Sequence, residues 1–141
     1  MVVRRCWPID RGAWMALAAW LALACPAAAQ TVADWRPLTT EAAQRFGLPV
    51  AWIERVMQAE SGGRTMLQGR PIVSRAGAMG LMQLMPGTAQ WVAGKLGLRN
   101  WRWGSVTDPD TNIQFGTYYL RHVQDFLDGN AVLATAAYNA G

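Results

Sequence analysis

DPDTNIQFGTYYLRHVQDFL, residues 108–127, is the stretch that decides the fold. Asp108 can cap free amides and Pro109 suits a first helical turn. From there Ile113, Gly116, Leu120, Val123 and Leu127 recur in steps of three and four over about five turns. A helix with one long apolar stripe needs neighbours to cover it. Downstream, Asn130 can cap a last helix over AVLATAAYNA, residues 131–140.

The same reading extends upstream. Pro86 starts a helix that carries Trp91, Val92 and Leu96 and stops at Gly97, and the run Gly80 to Met85 (GLMQLM) reads as a short apolar helix. Pro49 opens a helix with apolar positions at Val50, Ile53, Val56 and Met57, halted by Ser61-Gly62-Gly63. Before it, Thr39 and Thr40 precede a short helix over residues 41–46 that Gly47 can end. Residues 64–78 (RTMLQGRPIVSRAGA) have no period and several breakers, so a surface loop is predicted, with a small hairpin around Pro71 to Ser74. The expected fold is mainly α, roughly six or seven short helices with long loops able to line a cleft.

The first 29 residues differ from the rest. Arg4, Arg5 and Arg11 form a basic head, residues 13–25 (AWMALAAWLALAC) are apolar, and Ala27-Ala28-Ala29 supplies a cleavage site before Gln30. Thirteen apolar residues fall short of the about 20 that span a bilayer, so a cleaved export signal is expected rather than a membrane anchor. The twin arginine at 4–5 and the Cys25 box fit their own export signals poorly. The expected location is the periplasm or the exterior.

Composition is read differently once that segment is set aside. Apolar residues make up 52% of the chain and charged ones 16%, which excludes a disordered protein. Arg4, Arg5, Arg11 and Asp10 leave with the signal, so the net charge drops from +4 to about +2. The remaining arginines are scattered, which argues against nucleic acid as a partner. Cys6 and Cys25 leave too. Residues 30–141 then have no thiol, and His122 is the single histidine, so neither disulfides nor a metal site is expected.

Glu60 breaks the helical pattern. The stripe Val50, Ile53, Met57 continues by three onto Glu60, so a carboxylate ends a helix on its apolar face. Desolvation there would raise its pKa, as a general acid near neutral pH requires. The alternative is a glutamate that leans into water or pairs with Arg64. Further along, Gln83 is an amide inside a methionine-rich run, read equally as a partner for acetamido sugars or as part of the core, whereas Met82 reads first as core filling. Tyr138 and Asn139 place a phenol and an amide at a helix end, where capping also explains them.

Four segments together resemble the catalytic domain of the soluble lytic transglycosylases, relatives of goose-type lysozymes. They are Glu60-Ser61; Ser74 with the block Gly77 to Ala89 (GAMGLMQLMPGTA); Asp108 to Leu120; and Ala137-Tyr138-Asn139-Ala140-Gly141. The resemblance divides the chain into a signal at 1–29, a lead-in at 30–39 and a catalytic domain at 40–141, and it implies a lysozyme-like fold. It implies Glu60 as catalytic acid and base, Ser74, Gln83 and Met85 as substrate contacts, and Tyr138 with Asn139 as cleft residues; Tyr119 is a further candidate. The implied substrate is peptidoglycan, cut between N-acetylmuramic acid and N-acetylglucosamine to leave 1,6-anhydromuramyl ends, with no cofactor. A goose-type muramidase hydrolysing that bond is one alternative, and a non-catalytic peptidoglycan-binding or secretion-apparatus assembly protein is another. A monomer is expected, with envelope secretion or conjugation machinery as a candidate partner.

Two departures accompany the resemblance. Twelve residues, Gly62 to Val73, separate Glu60-Ser61 from Ser74, a longer loop than the best-known members carry. The chain also stops at Gly141, where such domains continue with a Gly-Pro turn and another helix, so a C-terminally truncated domain is expected.

Overall fold

The structure, a computed structural model, describes residues 29–140. The export signal read over 1–29 therefore lies outside the described residues apart from Ala29, as does Gly141 of the last motif. The order is a 3₁₀ turn at Val32–Trp35, α1 Arg36–Phe46, α2 Val50–Glu60, β1 Met66–Leu67, β2 Arg70–Pro71, α3 Pro86–Lys95, a second 3₁₀ turn at Trp103–Thr107, α4 Pro109–Phe126 and α5 Ala131–Ala140.

Helix α4 is the hub. The Asp108 carboxylate accepts the Thr111 amide at 2.9 Å, satisfying one of the free donors of its first turn. The predicted stripe is buried at Ile113, Gly116, Leu120 and Val123, and α1, α3, α5 and the second 3₁₀ turn all pack on this helix. Two apolar clusters result. Ala42, Ile53, Met57, Leu81, Met82, Ile113, Leu120 and Tyr138 meet on one side of it; Leu84, Val92, Val106 and Phe115 meet on the other. Tyr119 borders both. Asn130 caps α5 as expected, its side-chain oxygen accepting from Val132 and Leu133 at 3.1 Å each.

Three elements differ from the sequence reading. Helix α1 starts at Arg36, with Pro37 in its first turn, rather than after Thr40. Thr39 and Thr40 do not cap: their hydroxyls donate back to the Arg36 carbonyl at 3.2 and 2.7 Å from within the helix. The residues before α1 are anchored to the 63–65 segment, because the Trp35 indole donates to the Gly63 carbonyl at 2.7 Å and the Gln30 side chain accepts from the Thr65 amide at 3.0 Å. The hairpin pairs Met66 with Pro71 and Leu67 with Arg70, a few residues early. Its turn residues Gln68 and Gly69 both have positive φ, 51° and 75°, the geometry a two-residue hairpin turn requires.

The third difference matters most for function. Residues 80–83 form a turn, followed by the bridge residue Leu84 and the extended Met85, not a helix. Met79 bridges Val73 on one side and Leu84 on the other, and Gly80 and Gln83 have φ of 83° and 45°, in the left-handed region that a right-handed helix cannot use. The apolar run is buried because the loop is pressed into the domain, with Leu81, Met82 and Leu84 at 1% exposure or less.

Candidate active site

Glu60 is the last residue of α2. Ile53 and Met57 of its stripe are fully buried, and Glu60 itself is half-buried. The pairing with Arg64 does not form: the Arg64 guanidinium donates instead to the Ser61 carbonyl at 3.1 Å. Among the described residues the two side-chain ion pairs are Arg36–Glu54 and Arg121–Asp125, and neither includes Glu60. Desolvation without a compensating cation raises the Glu60 pKa above the usual carboxylate range.

Most other carboxylates have structural partners. Glu54 binds Arg36 at 2.8 Å and accepts from Thr39, Asp125 binds Arg121, Asp108 caps α4, and Asp34 accepts from the Thr31 amide at 2.7 Å. Asp110 accepts from the Gln114 amide at 3.5 Å. Glu41 and Asp128 are exposed on the surface. Among the described residues, Glu60 is the carboxylate that combines partial burial, a raised pKa and no partner.

Tyr138 faces this acid electrostatically. Its phenol is buried, donates to the Met82 carbonyl at 2.8 Å, and has a pKa pushed well above its usual value by burial first, then by the charges of Glu60 and Tyr119. The Tyr138 and Tyr119 rings lie 5.4 Å apart. Gln83, Met85, Tyr119 and Tyr138 line one small recess together with Leu84 and Thr88. Four of the residues expected from sequence are thus brought together, and Thr88, which sequence reasoning did not single out, joins them from α3. Gln83 enters with its own amide donating to the Gly80 carbonyl at 2.9 Å, which leaves its side-chain oxygen and a second amide hydrogen free of any partner among the described residues.

Ser74 and Asn139 sit apart from that recess. Ser74 closes the turn that leads into it, donating its amide to the Ala78 carbonyl at 2.8 Å while its hydroxyl accepts the Ala78 amide at 3.0 Å. Asn139 follows Tyr138 by one helical step, about 100° around the axis, and is exposed. It lines a broader groove between α2 and α5 with Trp52, Arg55 and Ala59. In that groove the Trp52 indole donates to the Thr135 hydroxyl at 2.8 Å, fixing α5 against the helix that ends in Glu60.

Sequence reasoning assigned no role to the residues that hold this arrangement. Ser61 is buried and its hydroxyl donates to the Leu81 carbonyl at 2.7 Å. Asn112, 0% exposed, accepts the Met82 amide at 2.7 Å and donates to the carbonyls of Met79 at 3.0 Å and Val106 at 2.9 Å. A signal for Asn112 existed: an amide directly before Ile113, in the first turns of a buried stripe, must find partners.

Comparison with known proteins places the chain among relatives of one family and fold. The family model described as "Transglycosylase SLT domain" matches residues 37–141. The soluble lytic murein transglycosylase of Salmonella typhimurium is 44% identical over 71 residues, half of this chain and 11% of the relative. Membrane-bound lytic murein transglycosylase C of Haemophilus influenzae is 35% identical over 116 residues, 74% of this chain and 30% of the relative. Among solved structures, lytic transglycosylase Slt of Pseudomonas aeruginosa, crystallised as an inactive mutant, superposes with a TM-score of 0.68 at 39% identity, over 75% of this chain and 16% of that one. The chain thus spans a small part of the length of these relatives. With the fold, the half-buried acid and the four motif segments all in place, the chain belongs to the Transglycosylase SLT domain family.

Proposed function

We propose that this domain is a peptidoglycan lytic transglycosylase that cuts the β-1,4 bond between N-acetylmuramic acid and N-acetylglucosamine. The observation that carries this reading is Glu60, half-buried and the one such carboxylate without a partner among the described residues, whose charge is felt by the buried Tyr138 phenol, which in turn lines a recess with Gln83, Met85 and Tyr119. Glycosidases commonly use two carboxylates, one of them as nucleophile or base. Here one acid serves both steps. Glu60 gives its proton to the bridging oxygen as the bond from muramyl C1 to that oxygen breaks. It then takes the proton of the muramyl C6 hydroxyl as that oxygen bonds to C1. Glu60 ends protonated, as it began, and the product is a 1,6-anhydromuramyl end made without water.

The surrounding residues bind and orient. Gln83 offers an acceptor suited to an acetamido N–H, Met85 and Tyr119 supply apolar wall, and Ser74 and Asn139 reach glycan units farther along the cleft. Tyr138 stays neutral because its pKa is raised, so its oxygen retains lone pairs that can accept from protonated Glu60. No helix among the described residues is long and apolar enough to cross a membrane. With residues 1–29 as an export signal cleaved after Ala29, the domain works as a monomer on the wall outside the cytoplasm, where secretion or conjugation machinery would need local openings in the glycan mesh.

Mass analysis of the soluble products from purified sacculi incubated with residues 30–141 tests the reading. Anhydromuramyl ends are expected. Reducing ends would assign a hydrolase of the goose-type muramidase kind, and binding without products would assign a non-catalytic peptidoglycan-binding protein.

A further inference from the structure

Three backbone groups of two consecutive residues, Leu81 and Met82, are each gripped by a side chain from a different part of the chain. The Leu81 carbonyl accepts the hydroxyl of Ser61, the residue directly after Glu60, at 2.7 Å. The Met82 carbonyl accepts the Tyr138 hydroxyl at 2.8 Å. The Met82 amide donates to Asn112 at 2.7 Å, while the Asn112 amide group donates on to Met79 and Val106. The fit is close: a Cβ at Gly80 would lie 2.1 Å from the Asn112 amide nitrogen. One turn along α4, a Cβ at Gly116 would lie 2.5 Å from the Met82 sulfur and 3.0 Å from the Tyr138 hydroxyl.

We propose that Asn112 is a positioning residue for Glu60: its amide fixes the turn whose Leu81 and Met82 carbonyls hold Ser61, the residue after the acid, and Tyr138, the buried phenol of the site. Asn112 touches neither the acid nor the recess-lining residues other than through this turn. Both of its donor hydrogens and its oxygen are spent on backbone groups, which an aliphatic residue of the same size could not satisfy. Displacement of the turn moves Ser61 and Tyr138 together and shifts Gln83 with them, so the cost falls more heavily on the chemical step than on glycan binding, which is spread over several other residues. The inference rests on Glu60 being the acid.

The test separates kcat from binding, using soluble un-cross-linked glycan strands as substrate and ligand. Asn112→Ala is expected to lower kcat by about 10²-fold, the scale at which small misplacements act. In a Glu60→Gln background, Asn112→Ala should weaken the Kd for the same strands by less than about tenfold, since only Gln83 among the binding residues lies in this turn. Asn112→Asp keeps the acceptor for the Met82 amide and should recover part of kcat. A folded Asn112→Ala with kcat within about threefold of the parent overturns the proposal. Weakening of strand binding in proportion to kcat also overturns it, since the cleft as a whole would then have collapsed. Should Asn112→Ala fail to fold, Ser61→Ala combined with Tyr138→Phe cuts the same links beyond Asn112, and an unchanged kcat in that double variant overturns it equally. A fully active Glu60→Gln single variant would instead sink the proposed function itself.

Discussion

Replacing Glu60 by glutamine keeps the size of the side chain and removes its proton chemistry. General acid-base steps contribute roughly 10²- to 10⁴-fold each, and one group serves both, so Glu60→Gln should lose nearly all release of soluble product from sacculi while its circular dichroism is unchanged. The same substitution has a stability signature. Burial raises the folded-state pKa of Glu60 above its unfolded value, so between the two the folded state binds more protons than the unfolded one, and stability falls as pH rises through that window. Glutamine has no such loss. The melting temperature of Glu60→Gln relative to the parent should therefore increase from acidic to neutral pH, and a difference constant with pH would show that Glu60 is not desolvated. The site was partly legible from sequence at this scale, because a carboxylate on an apolar stripe is visible in the spacing of Val50, Ile53 and Met57. Asn112 was legible only as an amide beside a buried stripe that must find partners; which groups those are was not, since Met79 and Met82 lie 33 and 30 residues away.

Among the elements, α4 and the 79–84 turn show why sequence reading succeeds in one place and fails in another. Helix α4 carries its start signal, its period and its burial in one contiguous stretch, and the structure begins it at Pro109 as the sequence does. Asp108→Ala removes the cap to Thr111 and is expected to cost about 1 kcal/mol in denaturant unfolding without altering the slope. The 79–84 segment has the composition of a buried helix, yet its two left-handed residues, Gly80 and Gln83, turn the chain back, and Asn112 holds it from outside. Apolar content reported its burial correctly, and period could not report its shape. Thr39 and Thr40 misled for a related reason: hydroxyls that cap a helix start can also fold back onto a carbonyl within it.

In the whole molecule, two apolar clusters share one helix. Phe115 points to the cluster that holds Trp101 and Trp103 at its edge, and Leu120 to the cluster that holds Trp52. A domain so arranged should unfold as one unit. Leu120→Ala is expected to cost about 2–5 kcal/mol. The loss should register equally by the fluorescence of Trp52 and by that of Trp101, each isolated by replacing the other tryptophans with phenylalanine. Non-coincident transitions would mean that the clusters melt separately. The mainly helical architecture was legible at this scale from Pro, Gly and Asp punctuation alone. The joining of the clusters at Tyr119 was not, because it depends on the order in which α1, α3 and α5 settle around α4.

The Met82 amide, whose hydrogen goes to a side chain on α4 and not to a backbone carbonyl, gives this irregular stretch an unusual clock. Deuterium can replace that hydrogen only when Asn112 releases it, so an amide in a turn should exchange as slowly as those in the middle of the long helix, on the time scale of global opening. Neighbouring turns outside this grip, such as Gln68-Gly69, should exchange within the earliest time points. A slow island of this kind in an exchange map, flanked by fast loops, marks a segment whose rigidity is lent to it by a helix far away in the chain.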